Sequence, residues 1–337
     1  MKNNFDTIPL SILDLAVVLA GKTPDQSFKN SVSLAQKAEA LGYHRFWLAE
    51  HHNMAHIASS ATSILIGHIA GKTNKIRVGS GGIMLPNHAP LIIAEQFGTL
   101  ASLYPDRIDL GIGRAPGTDQ LTARALQRDD QAAFEFPKTV KELQEYLAAE
   151  NSDSPVRAIP GEGLDIPIWI LGSSTDSAKL AAAYGLPYAF ASHFAPQQLQ
   201  QALSIYRNNF KPSAQLKEPY TIACVNVTAA ETSEEARAMA TSMQKIFLGI
   251  LTNNRQPLQA ADPNFRLSPE TEQVMQQFLK YSFVGNPAEI KAAISQFVDE
   301  TQVDELMVVS HIYDHEARLK SYQILKDLQN DAPKQQV

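Results

Sequence analysis

Eight short apolar runs, each followed by a longer amphipathic stretch, constrain this chain more than any other feature of its sequence. Such alternation is the pattern of βαβ units, whose strands pair in parallel and whose helices cover the sheet. Strands are expected over residues 8–13, 44–49, 76–79, 107–112, 166–171, 188–191, 220–227 and 305–309. Helices are expected over 27–41, around 60–70, and over 91–103, 175–184, 196–210, 233–248, 287–300 and 315–331, with Gly42 and Gly185 closing two of them. Residues 118–149 read as a long helical region broken near Pro137, and 252–282, rich in Asn, Gln and Pro, does not fit the alternation. The tally fits a (β/α)8 TIM barrel, an α/β fold, as one domain over 1–337 with an insertion before the last strand. An open doubly wound sheet is the competing architecture.

Composition removes other classes. Of the 337 residues 44% are hydrophobic and 19% charged, which is material for a large buried core. The net charge of -6, with no basic run, gives no footprint for nucleic acid. A lone cysteine, Cys224, excludes an internal disulfide and fits a reducing compartment. The apolar stretch 12–20 is interrupted by Asp14 and preceded by Asp6, with Lys2 its sole basic lead, so it is a poor secretory signal. No stretch approaches the ~20 apolar residues that cross a bilayer. A cytoplasmic protein without membrane or nucleic-acid partners is expected.

In a barrel, chemistry belongs where strands end and βα loops begin. Glu50-His51-His52 is one such place. Successive strand side chains point to opposite faces, so the two histidines cannot share a pocket if the strand runs through them, and no metal is expected. A single histidine acting as hydrogen-bond donor or base is favoured instead. His56, His68, His88 and His193 read as structural or rim residues. At Gly79-Ser80-Gly81-Gly82 the glycines admit a flat ring against the main chain, or merely relieve crowding at the rim. Arg114, in Gly111–Gly117, carries donors suited to phosphate oxygens, and the hydroxyls of Gly172–Ser177 open a helix whose N-terminus attracts an anion. A solvated arginine and a plain N-cap are the structural alternatives.

Three stretches resemble the bacterial-luciferase-like flavin-dependent monooxygenases in order and position: Phe46 to His52, Arg77 to His88, and Ala94-Glu95-Gln96 through Asp106 to Arg114. The resemblance implies a barrel that binds reduced FMN from a separate flavin reductase. With dioxygen it oxygenates a small organic substrate, an aldehyde in the luciferases. It also implies that Arg114 meets the FMN phosphate with Ser173, Ser174 and Ser177, and that His51 and Glu50 are catalytic with His52 beside them. Gly81 and Gly82 would lie under the flavin ring, joined by a cis peptide, and the protein would be a homodimer. Gly113 stands where luciferase catalytic subunits carry a reactive cysteine, which implies an oxygenase that does not emit light. A deazaflavin-dependent oxidoreductase, a flavin-binding protein without turnover and a metal-dependent barrel hydrolase are the rival readings. Residues 252–282 are expected to form a mobile cover, since a reactive flavin site needs water kept out.

Overall fold

A computed structural model describes residues 3–128, 131–149 and 153–330. It contains ten strands: β1 (Leu10–Asp14), β2 (Arg45–Leu48), β3 (Arg77–Ser80), β4 (Ile83–Met84), β5 (Ile108–Gly113), β6 (Ile168–Gly172), β7 (Tyr188–Phe190), β8 (Thr221–Ala229), β9 (Ser282–Gly285) and β10 (Glu305–Val309). Eight of them close a parallel ring in the order β10-β1-β2-β3-β5-β6-β7-β8, sealed by pairing of β8 with β10. The fold is the TIM barrel that the alternation predicts, and the open sheet is excluded by that seam.

Side chains divide along each strand with a period of two. Leu13, Trp47, Trp169, Ala189, Ile222, Cys224, Met307 and Val309 pack inside the ring. Their neighbours Ile12, Phe46, Leu48, Ile168, Ile170, Val225 and Val308 pack outward against the helices. Both faces are buried, which is why the strands read as continuous apolar runs rather than alternating ones. Helix ends are equally legible. Gly42 and Gly185 adopt left-handed φ of 75° and 63° and close the helices Pro24–Leu41 and Thr175–Tyr184.

One expectation is corrected. The region 118–149 is not one broken helix but two, Gln120–Ala125 and Phe136–Leu147, and Pro137 sits in the first turn of the second. That position needs no donor, so proline starts the helix there instead of breaking it. The last helix runs His315–Asn330, and Asp331 lies outside the described residues.

The insertion is more ordered than its composition suggests. Leu258 is buried and exchanges two main-chain hydrogen bonds of 2.9 Å with Val18 and Ala20, beyond the end of β1. From Ser268, whose hydroxyl caps Thr271 N–H, the helix Pro269–Phe278 follows. β9 then pairs with the exit of β8 outside the ring, Asn226 opposite Ser282. No helix is long and apolar enough to cross a membrane among the described residues.

Candidate active site

A cavity of about 470 Å³ opens at the C-terminal ends of the strands. His51, Gly81, Gly82, Arg114, Ser173, Ser174 and Ser177 all contribute to its walls, so separate loops predicted from sequence converge on one space. The Gly81–Gly82 peptide is cis. A larger groove of about 980 Å³ lies between the helices Ser233–Leu251 and Pro269–Phe278, and none of those loops reaches it. We take the smaller cavity as the site because chemistry in this fold collects at the strand ends.

One end of the cavity suits a phosphate. Ser174 is the N-cap of the helix Thr175–Tyr184, yet its side chain caps no N–H, which leaves the hydroxyl for a ligand. The Arg114 guanidinium reaches this turn, 3.7 Å from the Asp176 carboxylate, with both groups about half exposed. Ser177 is engaged differently: its hydroxyl donates to Ser174 O at 2.7 Å and lies 3.0 Å from the Tyr188 hydroxyl. Gly172 is required by that arrangement, since a Cβ there would lie 2.0 Å from Ser177 Oγ. Ser177 thus shapes the loop, while Ser173 and Ser174 keep the available hydroxyls.

Glu50 stands behind the cavity, not in its wall. Its Oε1 faces His52 Nε2 at 2.8 Å and His88 Nε2 at 2.9 Å, and its Oε2 accepts from Met84 N–H at 3.1 Å. Burial pushes the carboxyl up, but the bonds from His52 and His88 outweigh it and hold it at about 2. These three side chains are close enough to chelate a cation. With both facing ring nitrogens donating, the carboxylate accepts from each and the three side chains form one hydrogen-bonded set. The trio is a hydrogen-bonded clamp that ties the Met84 segment to the end of β2. His51 and His52 do diverge, but β2 ends at Leu48, so the strand does not run through them and its alternation is not the cause; the partner His88 arrives from another loop.

His51 Nδ1 lies 3.3 Å from the carbonyl of Gly117, whose φ of +65° suits glycine and turns that oxygen back to the loop. With Nδ1–H donating, Nε2 keeps its lone pair. Burial pushes His51 below the usual imidazole value, against the Gly117 bond and the Glu50 charge, so the ring is neutral near pH 7. His193, read from sequence as structural or rim, also walls the cavity, as do Phe134 and Phe194. No residue of the insertion is among these walls; Arg255 is near enough to oppose protonation of His51 and His56.

Comparison with known proteins is consistent across the chain. A family model described as luciferase-like monooxygenase matches residues 8–305. The luciferase-like monooxygenase of Escherichia coli K12 is 48% identical over 96% of this chain and 98% of its own. An N-acetyl-S-alkylcysteine monooxygenase of Bacillus subtilis is 32% identical over 95% of this chain and 98% of its own. The solved structure of apo-MsnO8 superposes with a TM-score of 0.87 at 36% identity, covering 97% of this chain and all of that one. Two more distant structures share the fold. One is the oxygenating constituent of a 3,6-diketocamphane monooxygenase in complex with FMN, with a TM-score of 0.69 and 17% identity over 95% of this chain and 97% of its own. The other is an F420-dependent secondary alcohol dehydrogenase, with a TM-score of 0.70 and 16% identity over 96% of this chain and 99% of its own.

Proposed function

The chain belongs to the luciferase-like monooxygenase family, enzymes that incorporate oxygen from dioxygen into a substrate, and we propose that it does so with reduced FMN delivered by a separate flavin reductase. The observation that carries the cofactor is a convergence. Arg114, Ser173 and Ser174 meet at one end of the cavity, Gly81 and Gly82 leave its floor without side chains, and His51 also lines it. Bound there, reduced flavin supplies the electrons that activate dioxygen. The protein's share is to hold the phosphate through Arg114 and the two hydroxyls, and to keep the floor flat through the Glu50 clamp. The neutral His51 Nε2 accepts and returns a proton beside the reacting group. The separate reductase draws support from the FMN-bound neighbour, which is itself named as an oxygenating constituent. A homodimer draws support from Ile64, Ile92 and Leu103, which are exposed on the contacting helices Thr62–Ala70 and Pro90–Leu103. A monomeric mass by light scattering would remove that partner.

Arg114→Ala is expected to weaken FMN binding by about 1.5–3 kcal/mol, the scale of a lost charged hydrogen bond. Calorimetric titration that returns the wild-type affinity sinks the phosphate assignment. Parallel titration with coenzyme F420 checks the cofactor class, and tighter binding of F420 than of FMN would transfer the chain to hydride chemistry. Label from dioxygen should enter product only when reduced FMN is supplied.

A further inference from the structure

Besides His52 and His88 of the clamp, imidazoles on the C-terminal face are His51 and His56 after β2, His193 after β7 and His311 after β10. In the ring order β2 and β7 stand opposite one another, so His51 and His193 enter the cavity from facing sides. Arg114 and the Ser173 loop follow β5 and β6, on one arc between them.

His193 is built to stay in place. It is 8% exposed, and its ring packs edge-on against Phe194 at 4.8 Å. Its carbonyl accepts from Asn226 Nδ2 at 2.6 Å, and the same amide donates to Ser282 Oγ at 2.9 Å, so the end of the insertion helps to fix it. Its Nδ1 is buried without a partner among the described residues. That atom has no surface open to a ligand, so a group in the cavity meets the ring at the other nitrogen, Nε2, which no side chain of the described residues engages. We propose that His193 is a substrate-binding residue that takes the one hydrogen-bonding group of an otherwise apolar, uncharged substrate held between it and His51. The assignment rests on the flavin reading above, which gives the Arg114 end to the cofactor.

The substrate's lack of charge follows from the walls. Among the described residues Arg114 and Asp176 are the charged side chains lining the cavity, and both belong to the phosphate end. The remaining walls include Leu13, Leu15, Ala49, Met84, Phe134 and Phe194. Burial, then His311 and His51, push the His193 imidazole down to about 3, so it offers a hydrogen bond but no countercharge. A carboxylate beside it would be buried without a cation, at a cost of several kcal/mol.

The test reads binding, not turnover. Decanal and decanoate, and benzyl methyl sulfide and (benzylthio)acetate, are titrated into the FMN complex and followed by the perturbed flavin absorbance. Wild type is expected to bind the neutral member of each pair more tightly. His193→Phe, which keeps the ring and its packing on Phe194, should bind the neutral probes about tenfold more weakly, one hydrogen bond's worth. His193→Asn should recover most of that loss, and FMN affinity should be the same in all three proteins. Equal or tighter binding of the carboxylates, wild-type affinity in His193→Phe, or no neutral probe binding at all overturns the proposal. If wild type takes up no FMN, the flavin reading falls instead, and the same titrations by calorimetry on the flavin-free protein still decide the role of His193.

Discussion

The two ends of the barrel bury polar groups by opposite rules. At the N-terminal end, Arg45 donates to Asp109 at 2.8 Å and to both Glu305 oxygens at 3.1 Å. Arg77 reaches the other Asp109 oxygen at 2.6 Å, Trp47 Nε1 joins at 3.1 Å, and Tyr220 and Ser11 complete Glu305. Asp109 and Glu305 have no exposed surface, and the Arg45 guanidinium lies 4.6 Å over the Trp169 ring. At the C-terminal end, His56, His193 and His311 are also buried, yet each leaves Nδ1 without a partner among the described residues. At one end the charged groups are all paired in a plug, with Trp169 Nε1 left unpartnered beneath them among the described residues, and the other keeps three unspent imidazole nitrogens. In this fold the difference separates stability from function.

The largest effect should come from breaking the plug. Asp109→Ala takes the carboxylate from Arg77 and leaves Arg45 with Glu305 alone, and removing one partner from a buried charge network costs about 3–5 kcal/mol. Urea denaturation is the measurement. A loss below about 1 kcal/mol, the scale of a surface pair, would mean that the network is ornamental and the comparison wrong.

Acid sharpens the contrast because the two ends respond in different windows. Burial raises Asp109, but Arg45 and Arg77 outweigh it and hold it below its ordinary 3.8, so its contribution is present above that value and lost only below it. The upper histidines behave otherwise. Burial, helped by neighbouring charges, lowers His311 to about 4, His56 to about 4 and His193 to about 3 from an ordinary 6.5. Between 6.5 and about 4 the unfolded chain binds protons that the folded chain refuses. Stability therefore falls with pH by about 1.4 kcal/mol per unit for each such histidine. His311, faced by Arg318, His56 and Asp14, is the cleanest to remove. His311→Asn should flatten the slope of folding free energy against pH in this window by one histidine's share. An unchanged slope would show that acid lability arises elsewhere.

This asymmetry was partly legible in the sequence, and the reasons for its gaps are physical. The glycine loops, Arg114 and His51 sit at strand ends, so periodicity alone places them on one face. His193 follows the expected strand 188–191 by two residues, and the same rule would have selected it. No neighbouring motif singles it out, so by sequence it reads as a structural or rim residue. The Glu50 clamp needs His88, and the plug needs Glu305 beside Arg45. Such pairings exist only once the ring closes, although a single charge inside an apolar run was their visible trace. No local pattern shows that Ser177 is engaged by Ser174 and Tyr188, or that Leu258 pins the insertion.

The smallest structural effect is expected at His51, and that is what makes it informative. Its ring has one hydrogen bond, a long 3.3 Å contact with Gly117 O, worth about 0.5–1.5 kcal/mol at most. Unlike Asp109, it can be removed without stranding a charge. Unlike Arg114, it touches no expected phosphate contact. His51→Ala should therefore fold with near-wild-type stability and bind FMN with near-wild-type affinity. Its chemistry should change instead, because the proposed function makes Nε2 the proton acceptor beside the reacting group. Product formed per reduced flavin consumed should drop steeply while hydrogen peroxide release rises to match. Full coupling in the variant would make His51 a lining residue and leave proton transfer to another group at this end. Loss of FMN affinity would make it a cofactor residue. Only uncoupling with intact binding fits a barrel whose upper end holds hydrogen-bonding capacity in reserve for its reaction.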